Sequence, residues 1–486
     1  MKRPTNVPTK RETASMDSNE TQARGGRPRA LALAVVALST TLGACDFDVI
    51  NPGPVEDQFL DRPDAHAAVV AGAARQLADG LDNVAITTAA VSREVFPSGS
   101  TGSFGISPFQ QEGIIFFDDT HVAWTEQQRA RFTAEDAFRR FEESEEVDVS
   151  SYDLAAEAAL LAGYANRLLG ENYCQAIIDG GEPQPSSVFL TRAEDWFSQA
   201  ITIGTAAGTP DIVNAGYAGR ASVRVDLGNW SGAVSDAAQV PEGFVYTAEY
   251  NALEQDQFNR LYWAGAGQPY KSHTTWNTQW EDYYGETGDP RVPWAWRAEQ
   301  SGPLLDAFVD GPPANDLDAV PGDAAVAVVE DSIPNGNVPH FPQMKYPEEA
   351  SDIRLSSKWE MNLIEAEAAL RDGNITQAFE LMNLRRADVG IATLDPTGLS
   401  LDEAWTLFKR ERGIELWLEA RRMNDIRRWQ EEGAPGDLHP LEQRNPTPQS
   451  PSFLRETQQL GEATLCYPIP RGEREANENL PLQPTS

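Results

Sequence analysis

Basic side chains are scarce in this sequence: 39 lysines and arginines stand against 74 aspartates and glutamates, for a formal net charge of -35. A surface of this sign repels phosphate backbones, which makes nucleic acid a poor partner. It keeps a large protein soluble, and it favours neutral or cationic ligands over anionic ones. At 486 residues the chain is long enough to bury a large core.

The motifs of the common enzyme classes are missing as well. The sequence has no Gly-x-Ser-x-Gly nucleophile elbow and no phosphate-binding loop. Its histidines are scattered, and no two of them have the spacing of zinc ligands. The five are His66, His121, His273, His340 and His439. We therefore expect no catalysis, no metal and no cofactor.

The N-terminus has the features of an export signal. Three arginines between positions 24 and 29 precede the apolar stretch 30–42, which is too short to span a bilayer. The next residues, Gly43-Ala44-Cys45, complete what resembles a bacterial lipobox. Residues 1–44 are thus predicted to be a lipoprotein signal peptide, and Cys45 the lipidated residue. The alternative is an ordinary secretory signal with a chance cysteine.

Export also bears on the two remaining cysteines, Cys174 and Cys466. An even pair in an oxidising compartment is typical of a disulfide, here one that would join the early helices to the C-terminal tail. Two buried free thiols are the alternative, because spacing along the sequence does not show whether the two residues are close.

Two segments share a pattern that is typical of helix pairs. Each places Gly-Asn between two helices with an alanine four residues after the asparagine. The glycine can end one helix in a left-handed conformation, and the small alanine lets the next helix pack closely. The segments are Leu227-Gly228-Asn229-Trp230-Ser231-Gly232-Ala233 and Asp372-Gly373-Asn374-Ile375-Thr376-Gln377-Ala378. The pattern predicts a mainly α-helical, tetratricopeptide-like scaffold.

A large insertion, about 246–350, interrupts these repeats. It is rich in proline, glycine, aspartate and aromatic residues and has no sustained helical period, so we expect irregular loops. The rest of a single domain, 45–486, is expected to be helical scaffold at about 60–245 and 351–432, with a C-terminal tail at 433–486.

The insertion also holds the best candidates for ligand contact. Five of the twelve tryptophans lie between Trp263 and Trp296, with Tyr262, Tyr270 and two further tyrosines among them. A sugar presents a flat C–H face that stacks on aromatic rings, while neighbouring polar groups bind its hydroxyls. We select as ligand-binding residues Trp276, Trp280, Tyr283, Tyr284, Trp294 and Trp296, supported by the loop 98–104. The alternative is that these aromatics form a satellite core beneath a long loop.

Three glutamates recur every four residues: Glu411, Glu415 and Glu419. On a helix this spacing makes one stripe, which is repulsive unless cations pair with it. Arg412 and Arg422 are spaced to supply an ion-pair lattice. A glycosidase acid and base must flank a bond, which two carboxylates on one helix face do not do. The stripe is therefore interpreted as structural.

Several uncommon strings in the C-terminal half resemble the SusD/RagB family of outer-membrane nutrient-binding lipoproteins. They are Ser357-Lys358-Trp359-Glu360-Met361-Asn362-Leu363-Ile364-Glu365-Ala366-Glu367-Ala368, Glu411-Arg412-Gly413-Ile414-Glu415-Leu416-Trp417-Leu418-Glu419, Arg422-Met423-Asn424-Asp425-Ile426-Arg427-Arg428-Trp429 and Cys466-Tyr467-Pro468-Ile469-Pro470. Asp289-Pro290-Arg291 resembles a landmark of the family's middle region. The sequence departs from the family at Ala420, where glycine is usual, and at Asn477-Glu478-Asn479, where Asn-Pro-Asn is usual.

The resemblance implies a SusD-like fold, anchored by lipid at the outer membrane and exposed at the cell surface. It implies a protein that binds an oligosaccharide or similar nutrient and delivers it, without catalysis, to a SusC-like TonB-dependent outer-membrane transporter. The alternative is a tetratricopeptide-like envelope scaffold that binds protein partners only. A glycoside hydrolase is disfavoured because no separated carboxylate pair is evident.

Overall fold

The computed structural model describes residues 57–98, 106, 110–111, 113, 115–267, 270–295, 326–328, 337–439 and 465–482. They lie in one compact unit, Glu56–Ser486. The signal peptide and Cys45 fall outside the described residues, as does Trp296. Within the described part of the chain, no helix is long and apolar enough to cross a membrane.

Helices dominate the described structure, so the predicted mainly α-helical fold is confirmed. Before the insertion they are α1 (Pro63–Val91), α2 (His121–Glu143), α3 (Asp153–Asn172), α4 (Ser187–Ala207), α5 (Pro210–Asp226) and α6 (Trp230–Ala237). The insertion contributes α7 (Gln279–Thr287). After it come α8 (Lys358–Arg371), α9 (Ile375–Asp388), α10 (Leu401–Glu415), α11 (Arg422–Glu432) and α12 (Arg471–Ala476).

The two Gly-Asn segments form the predicted turns between helices. Gly228 and Gly373 adopt left-handed φ values of 72° and 75° and close the α5–α6 and α8–α9 connections. Each asparagine then caps the following helix: the side chain of Asn229 accepts from the Gly232 N–H, and that of Asn374 from the Gln377 N–H. The alanines four residues on are fully buried, as close helix packing requires.

Tight packing of α3, α4 and α5 depends on the absence of side chains at two glycines. The ring of Phe197 on α4 lies between Gly163 of α3 and Gly219 of α5. A Cβ placed at Gly163 would lie 2.6 Å from this ring, and one at Gly219 would lie closer still. Both helices therefore approach the phenylalanine at backbone distance, and the ring is fully buried.

The strands are short antiparallel pairs: β1 (Phe96–Pro97) with β5 (His273–Thr274), β2 (Gln175–Ala176) with β3 (Gln184–Pro185), β4 (Val245–Ala248) with β8 (Ile353–Ser357), and β6 (Val326–Val328) with β7 (Asn337–Pro339). The β4–β8 pair joins the chain just before the insertion to the chain just after it. Its β8 strand is bound to α3, because the Tyr164 hydroxyl lies 3.0 Å from Ser356 Oγ and Arg167 donates to the Leu355 carbonyl.

The C-terminal tail is attached to the end of α3. Cys174 and Cys466 form a disulfide, with Cα atoms 5.1 Å apart. Beside it, the Cys174 N–H donates to the Tyr467 carbonyl and the Tyr467 N–H donates to the Asn172 carbonyl. The crosslink closes a segment with a sequence separation of 292 residues, which restricts the unfolded chain strongly.

Replacing Gly219 with alanine tests the packing of Phe197. We expect Gly219→Ala to lower the free energy of unfolding by about 1–3 kcal/mol, because the added methyl has to displace the ring or separate the helices. Gly72→Ala on α1 is the matched control, since a Cβ added there would meet nothing within 4 Å. That change should stabilise the protein by about 0.5–1 kcal/mol through helix propensity. Equal effects of the two substitutions in urea unfolding would contradict close packing on Phe197.

Candidate functional site

The glutamate stripe links the insertion to the scaffold, but its geometry differs from the prediction. The helix α10 ends at Glu415, so Glu419 lies in the turn that separates α10 from α11. The predicted partners are also wrong. Arg412 Nε lies 2.8 Å from Asp425 Oδ2, and Arg422 donates to the Lys409 carbonyl. Both arginine side chains are buried.

The cations that pair with the stripe come from other parts of the chain. Glu411 pairs with Arg291 and Arg386, Glu415 with Arg291, Arg354 and Arg385, and Glu419 with Arg354 and Lys345. Arg291 and Lys345 belong to the insertion, Arg354 to β8, and the other two arginines to α9. The three carboxylates are buried, so each requires these partners to offset the cost of desolvation.

Arg291 is the central cation on the insertion side. Its guanidinium contacts Asp289 through two nitrogens, at 3.0 and 2.7 Å, and its Nη1 lies 2.6 Å from Glu411 Oε1. Asp289 also accepts from the Tyr283 hydroxyl at 2.7 Å. Burial acts to raise the pKa of Asp289, but the bonds and charge of Arg291 outweigh it and lower that pKa. The Asp-Pro-Arg landmark is thus a charged anchor.

A second anchor follows at Lys345. Its Nζ donates to the Trp417 carbonyl and lies 2.7 Å from Glu419 Oε1. Burial lowers the pKa of Lys345 to about 8, although the charge of Glu419 opposes the shift. Two separate segments of the insertion, around Arg291 and Lys345, are therefore bound to the same stripe.

The turn after α10 contains Ala420, one of the positions where the sequence departs from the pattern of the family it resembles. Ala420 has a φ of 60°, in the left-handed region where glycine has no steric penalty. Leu418 has the same φ, and its N–H donates to a carboxyl oxygen of Glu94 at 2.8 Å. Glu94, just before β1, thereby fixes this turn relative to the edge of the insertion.

Four of the six selected aromatic residues are buried: Trp280, Tyr283, Tyr284 and Trp294. Trp294 stacks on Phe341 with ring centroids 4.8 Å apart, and Trp280 lies 6.4 Å from Trp417. A ring covered by protein has no face for a sugar, so burial favours the alternative interpretation, a core beneath the loops, for these four. Trp296 falls outside the described residues.

Trp276 keeps part of its surface exposed. Its ring meets Phe96 edge to face with centroids 5.3 Å apart, and its backbone N–H donates to Thr274 Oγ1. The next residue, Asn277, has a φ of 59°, and its N–H donates to Glu281 Oε2. The β1–β5 pair and this turn together fix the direction of the indole.

A second group of partly exposed aromatics lies on a short π-helix, Leu261–Ala266. Trp263 on this helix meets Tyr270 edge to face at 5.4 Å, and the Arg260 guanidinium lies 5.8 Å from the Trp263 ring centre. π-Helices are rare in proteins, and those that occur are often found at functional sites. The sequence places these aromatics in the cluster, but no signal in it identifies them as the exposed members.

The side chain of His273 packs against the π-helix. A Cβ added at Gly265 would collide with the His273 ring, so the imidazole packs directly on the π-helix backbone. The ring is fully buried, and among the described residues neither of its nitrogens has a hydrogen-bond partner. Burial lowers the pKa of His273 to about 3, so the ring is neutral and acts as a packing group.

We define the aromatic surface as Tyr262, Trp263, Tyr270 and Trp276. The loop predicted to support the site begins at Ser98, which is buried and donates from its hydroxyl to the Lys271 carbonyl at 2.6 Å. Residues 99–104 of that loop lie outside the described part. In the described part of the chain, no group of three histidine, cysteine or acidic side chains could hold a metal ion.

The ion-pair anchor predicts a large effect of Arg291→Ala. Removing the guanidinium leaves Glu411 and Glu415 with less compensation in a buried setting, so we expect a loss of about 3–5 kcal/mol in unfolding free energy. Arg139→Ala is the control, because its pairs with Asp136 and Glu143 are exposed and should contribute less than about 1 kcal/mol. If chemical denaturation showed that Arg291→Ala loses no more unfolding free energy than Arg139→Ala, the ion pairs of Arg291 would not be the anchor.

Glu94 gives a pH-dependent prediction. Burial raises the pKa of Glu94 to about 7 from an ordinary 4.5, although bonds from Leu418 and Ser92 oppose the shift. The folded state therefore binds this proton more tightly, and the associated stability is lost as pH rises from about 4.5 through 7. Glu94→Gln should raise the unfolding free energy at pH 8 by on the order of 1–3 kcal/mol, with little effect at pH 4.5.

The control for this pH dependence is Glu367→Gln. Burial acts to raise the pKa of Glu367, but Arg428 dominates and lowers it to about 2. Its stabilising effect is present above pH 4.5 and is lost as pH falls, so this variant should be destabilised at pH 8. Urea unfolding at both pH values measures the sign of each variant's effect on the free energy of unfolding. A Glu94→Gln variant that is destabilised at pH 8 would contradict a raised pKa for Glu94.

Comparison with known proteins gives a family match and a set of structural neighbours. Residues 347–484 match the sequence model of the SusD family. This range contains β8, the helices α8–α12 and the whole glutamate stripe. No curated protein matches the sequence.

Solved structures match over most of the chain. A SusD superfamily protein from Bacteroides vulgatus ATCC 8482 aligns with 86% of this chain and 98% of its own, at 13% identity and a TM-score of 0.59. Surface glycan-binding protein A from Bacteroides thetaiotaomicron, solved in complex with laminarihexaose, aligns with 86% and 98%, at 11% identity and a TM-score of 0.57. A SusD-like carbohydrate binding protein from Bacteroides vulgatus ATCC 8482 aligns with 77% and 85%, at 14% identity and a TM-score of 0.51. At these identities the likeness shows a shared fold.

Proposed function

We propose that the chain is a member of the SusD/RagB family that binds an oligosaccharide or similar nutrient and delivers it to a SusC-like TonB-dependent transporter, without catalysis. The match of residues 347–484 to the SusD family model and the fold shared with a solved SusD superfamily protein support this proposal. The observation that carries glycan binding is the aromatic surface on the insertion, which presents partly exposed rings on a fold shared with a protein solved with laminarihexaose. Sugar faces stack on such rings.

The composition of the aromatic surface supports a neutral ligand. Trp263 and Trp276 are partly exposed indoles, Tyr262 and Tyr270 are partly exposed phenols, and Tyr270 meets Trp263 edge to face. Burial raises the pKa of Tyr262, and the charges of Glu349 and Glu348 raise it further. Its hydroxyl therefore stays protonated and can donate to a sugar oxygen. Carboxylates this close would repel an anionic ligand.

The proposed location follows from the lipobox and the family. Lipid attached at Cys45 would hold the protein on the outer membrane, with the domain exposed at the cell surface. Delivery to a barrel requires such placement. Both points rest on the sequence and on family resemblance, and the residues concerned lie outside the described structure.

The glutamate stripe supports the absence of catalysis at the carboxylates that the sequence singles out. All three are buried and ion-paired to cations of the insertion, β8 and α9. A glycosidase acid or base has to reach the glycosidic oxygen or a water next to it. Buried carboxylates that are paired in this way have a structural role.

A protein-binding envelope scaffold remains the second candidate, and one observation favours it. The burial of Trp280, Tyr283, Tyr284 and Trp294 turns most of the selected cluster into core. Under this alternative, the remaining exposed rings would be packing residues at the edge of that core. The two candidates differ in whether the aromatic surface binds sugar.

Tryptophan fluorescence during titration with a glycan panel that includes laminarihexaose tests the proposal. We expect one or more glycans to change the emission, and a Trp263→Ala, Trp276→Ala double variant to lose at least about tenfold in affinity through lost stacking. Trp359→Ala is the matched control: this half-buried indole lies on α8 under the Arg385 guanidinium, 4.6 Å away. It should leave glycan affinity unchanged.

Helical circular dichroism of each variant verifies that the scaffold is intact. A flat response of the wild type to every glycan, or full affinity in the double variant, would contradict glycan binding at the aromatic surface. The first result would favour the protein-binding scaffold.

A further inference from the structure

A cavity of about 490 Å³ lies on the scaffold between α1, α3 and the β4–β8 pair. Its volume is in the range of small-molecule sites. It is lined by residues 71–77 of α1, by Glu157 and Leu161 of α3, by residues 246–251 of and after β4, and by Leu355 of β8. None of these residues belongs to the aromatic surface, so this is a separate site.

The cavity exists because small side chains stand where larger ones would close the groove. Ala71 and Ala74 face it from α1, and neither fills the space between that helix and α3. On the other side, the β4–β8 register shifts between Tyr246 and Thr247. A bulge of this kind redirects the strand, and bulges are frequent next to binding sites.

The walls combine apolar surface with an uncompensated carboxylate. Leu77, Leu161 and Leu355 are apolar, and the Tyr246 ring is fixed by stacking on Tyr164 with centroids 5.5 Å apart. Glu157 is half-buried, and among the described residues it has neither a hydrogen bond nor an ion pair. Its carboxylate is therefore open to a cationic partner from outside the chain.

The other charged groups near the cavity do not supply that partner. Arg75 also lines it, but its guanidinium is paired with Asp79 and donates to the Asp256 carbonyl. Glu249 lies on the opposite wall and is exposed. Burial raises the pKa of Glu157, and the negative charges of Asp153 and Glu249 raise it further. The cavity is therefore apolar with excess negative charge.

We propose that this cavity binds an ammonium or guanidinium group carried on an aliphatic chain, with the cation at Glu157 and the chain along the alanine and leucine walls. The ligand would be a free alkyl amine or a lysine or arginine side chain of a peptide. Such a ligand satisfies the carboxylate and covers the apolar surface at once. This function is independent of glycan binding by the aromatic surface.

Calorimetric titration of the full protein with two probes that have the same number of side-chain carbons tests the charge requirement. The cationic probe is N-acetyl-lysine amide, and its neutral counterpart is N-acetyl-norleucine amide. We expect the lysine probe to bind about tenfold more tightly, as a charge-assisted hydrogen bond implies. Glu157→Gln should abolish that difference while leaving the affinity for the norleucine probe unchanged. Ala74→Leu should weaken both probes by filling the cavity.

Glu365→Gln is the control, because this half-buried carboxylate lies on α8 outside the cavity and should not alter either affinity. An alanine pentapeptide with a central lysine separates the two sources: tighter binding than the free probe indicates a peptide ligand, and weaker binding a free amine. Equal affinities of the lysine and norleucine probes, no binding of either, or unchanged lysine affinity in Glu157→Gln would overturn the proposal. Glycan titration in the same variants is unaffected in every case.

Discussion

Buried charge pairing between the glutamate stripe and cations from distant segments is the constraint on which the arrangement of this protein depends. Three carboxylates at the end of α10 and in the next turn are withdrawn from water. Withdrawal is costly unless each charge meets a partner of opposite sign with good geometry. Arg291, Lys345, Arg354, Arg385 and Arg386 provide those partners. The insertion, β8 and α9 are thus all held against the end of α10 by buried ion pairs.

The insertion, anchored at Arg291 and Lys345, has a buried floor and a partly exposed face with different roles. The floor is a packed set of aromatic rings, including Trp280 and Trp294, that continues the main core. The exposed face keeps Trp263 and Trp276 partly open, supported by the π-helix and by the β1–β5 pair. Irregular backbone can hold rings in defined directions here because it rests on an anchored base. Sites that rest on such a base need little ordering when a ligand binds.

The scaffold was largely predictable, since its signals are local. A glycine followed by a capping asparagine and a packing alanine fixes a helix pair within a few residues, as at Gly228 and Gly373. The Cys174–Cys466 disulfide is one of the two alternatives that the cysteine count left open. The left-handed turn at Ala420 explains why glycine is usual at that position.

The site was less predictable, since its properties depend on contacts between distant segments. Composition placed the aromatics together, but the burial of Trp280 follows from its packing near Trp417 and Gly413, which are distant in sequence. Sequence spacing likewise assigned Arg412 and Arg422 to the stripe, whereas both are taken by partners inside the scaffold. Helical spacing predicts which residues are neighbours on one helix, but it gives no information about cations that belong to other segments of the chain.

The proposed delivery of a bound nutrient to a transporter is the central claim, and recovery of the native protein from detergent-solubilised cell envelopes tests it most directly. Affinity purification followed by mass spectrometry would identify what remains bound. We predict a TonB-dependent barrel at near-equal stoichiometry. Recovery of periplasmic proteins without a barrel would contradict delivery and would support a protein-binding scaffold.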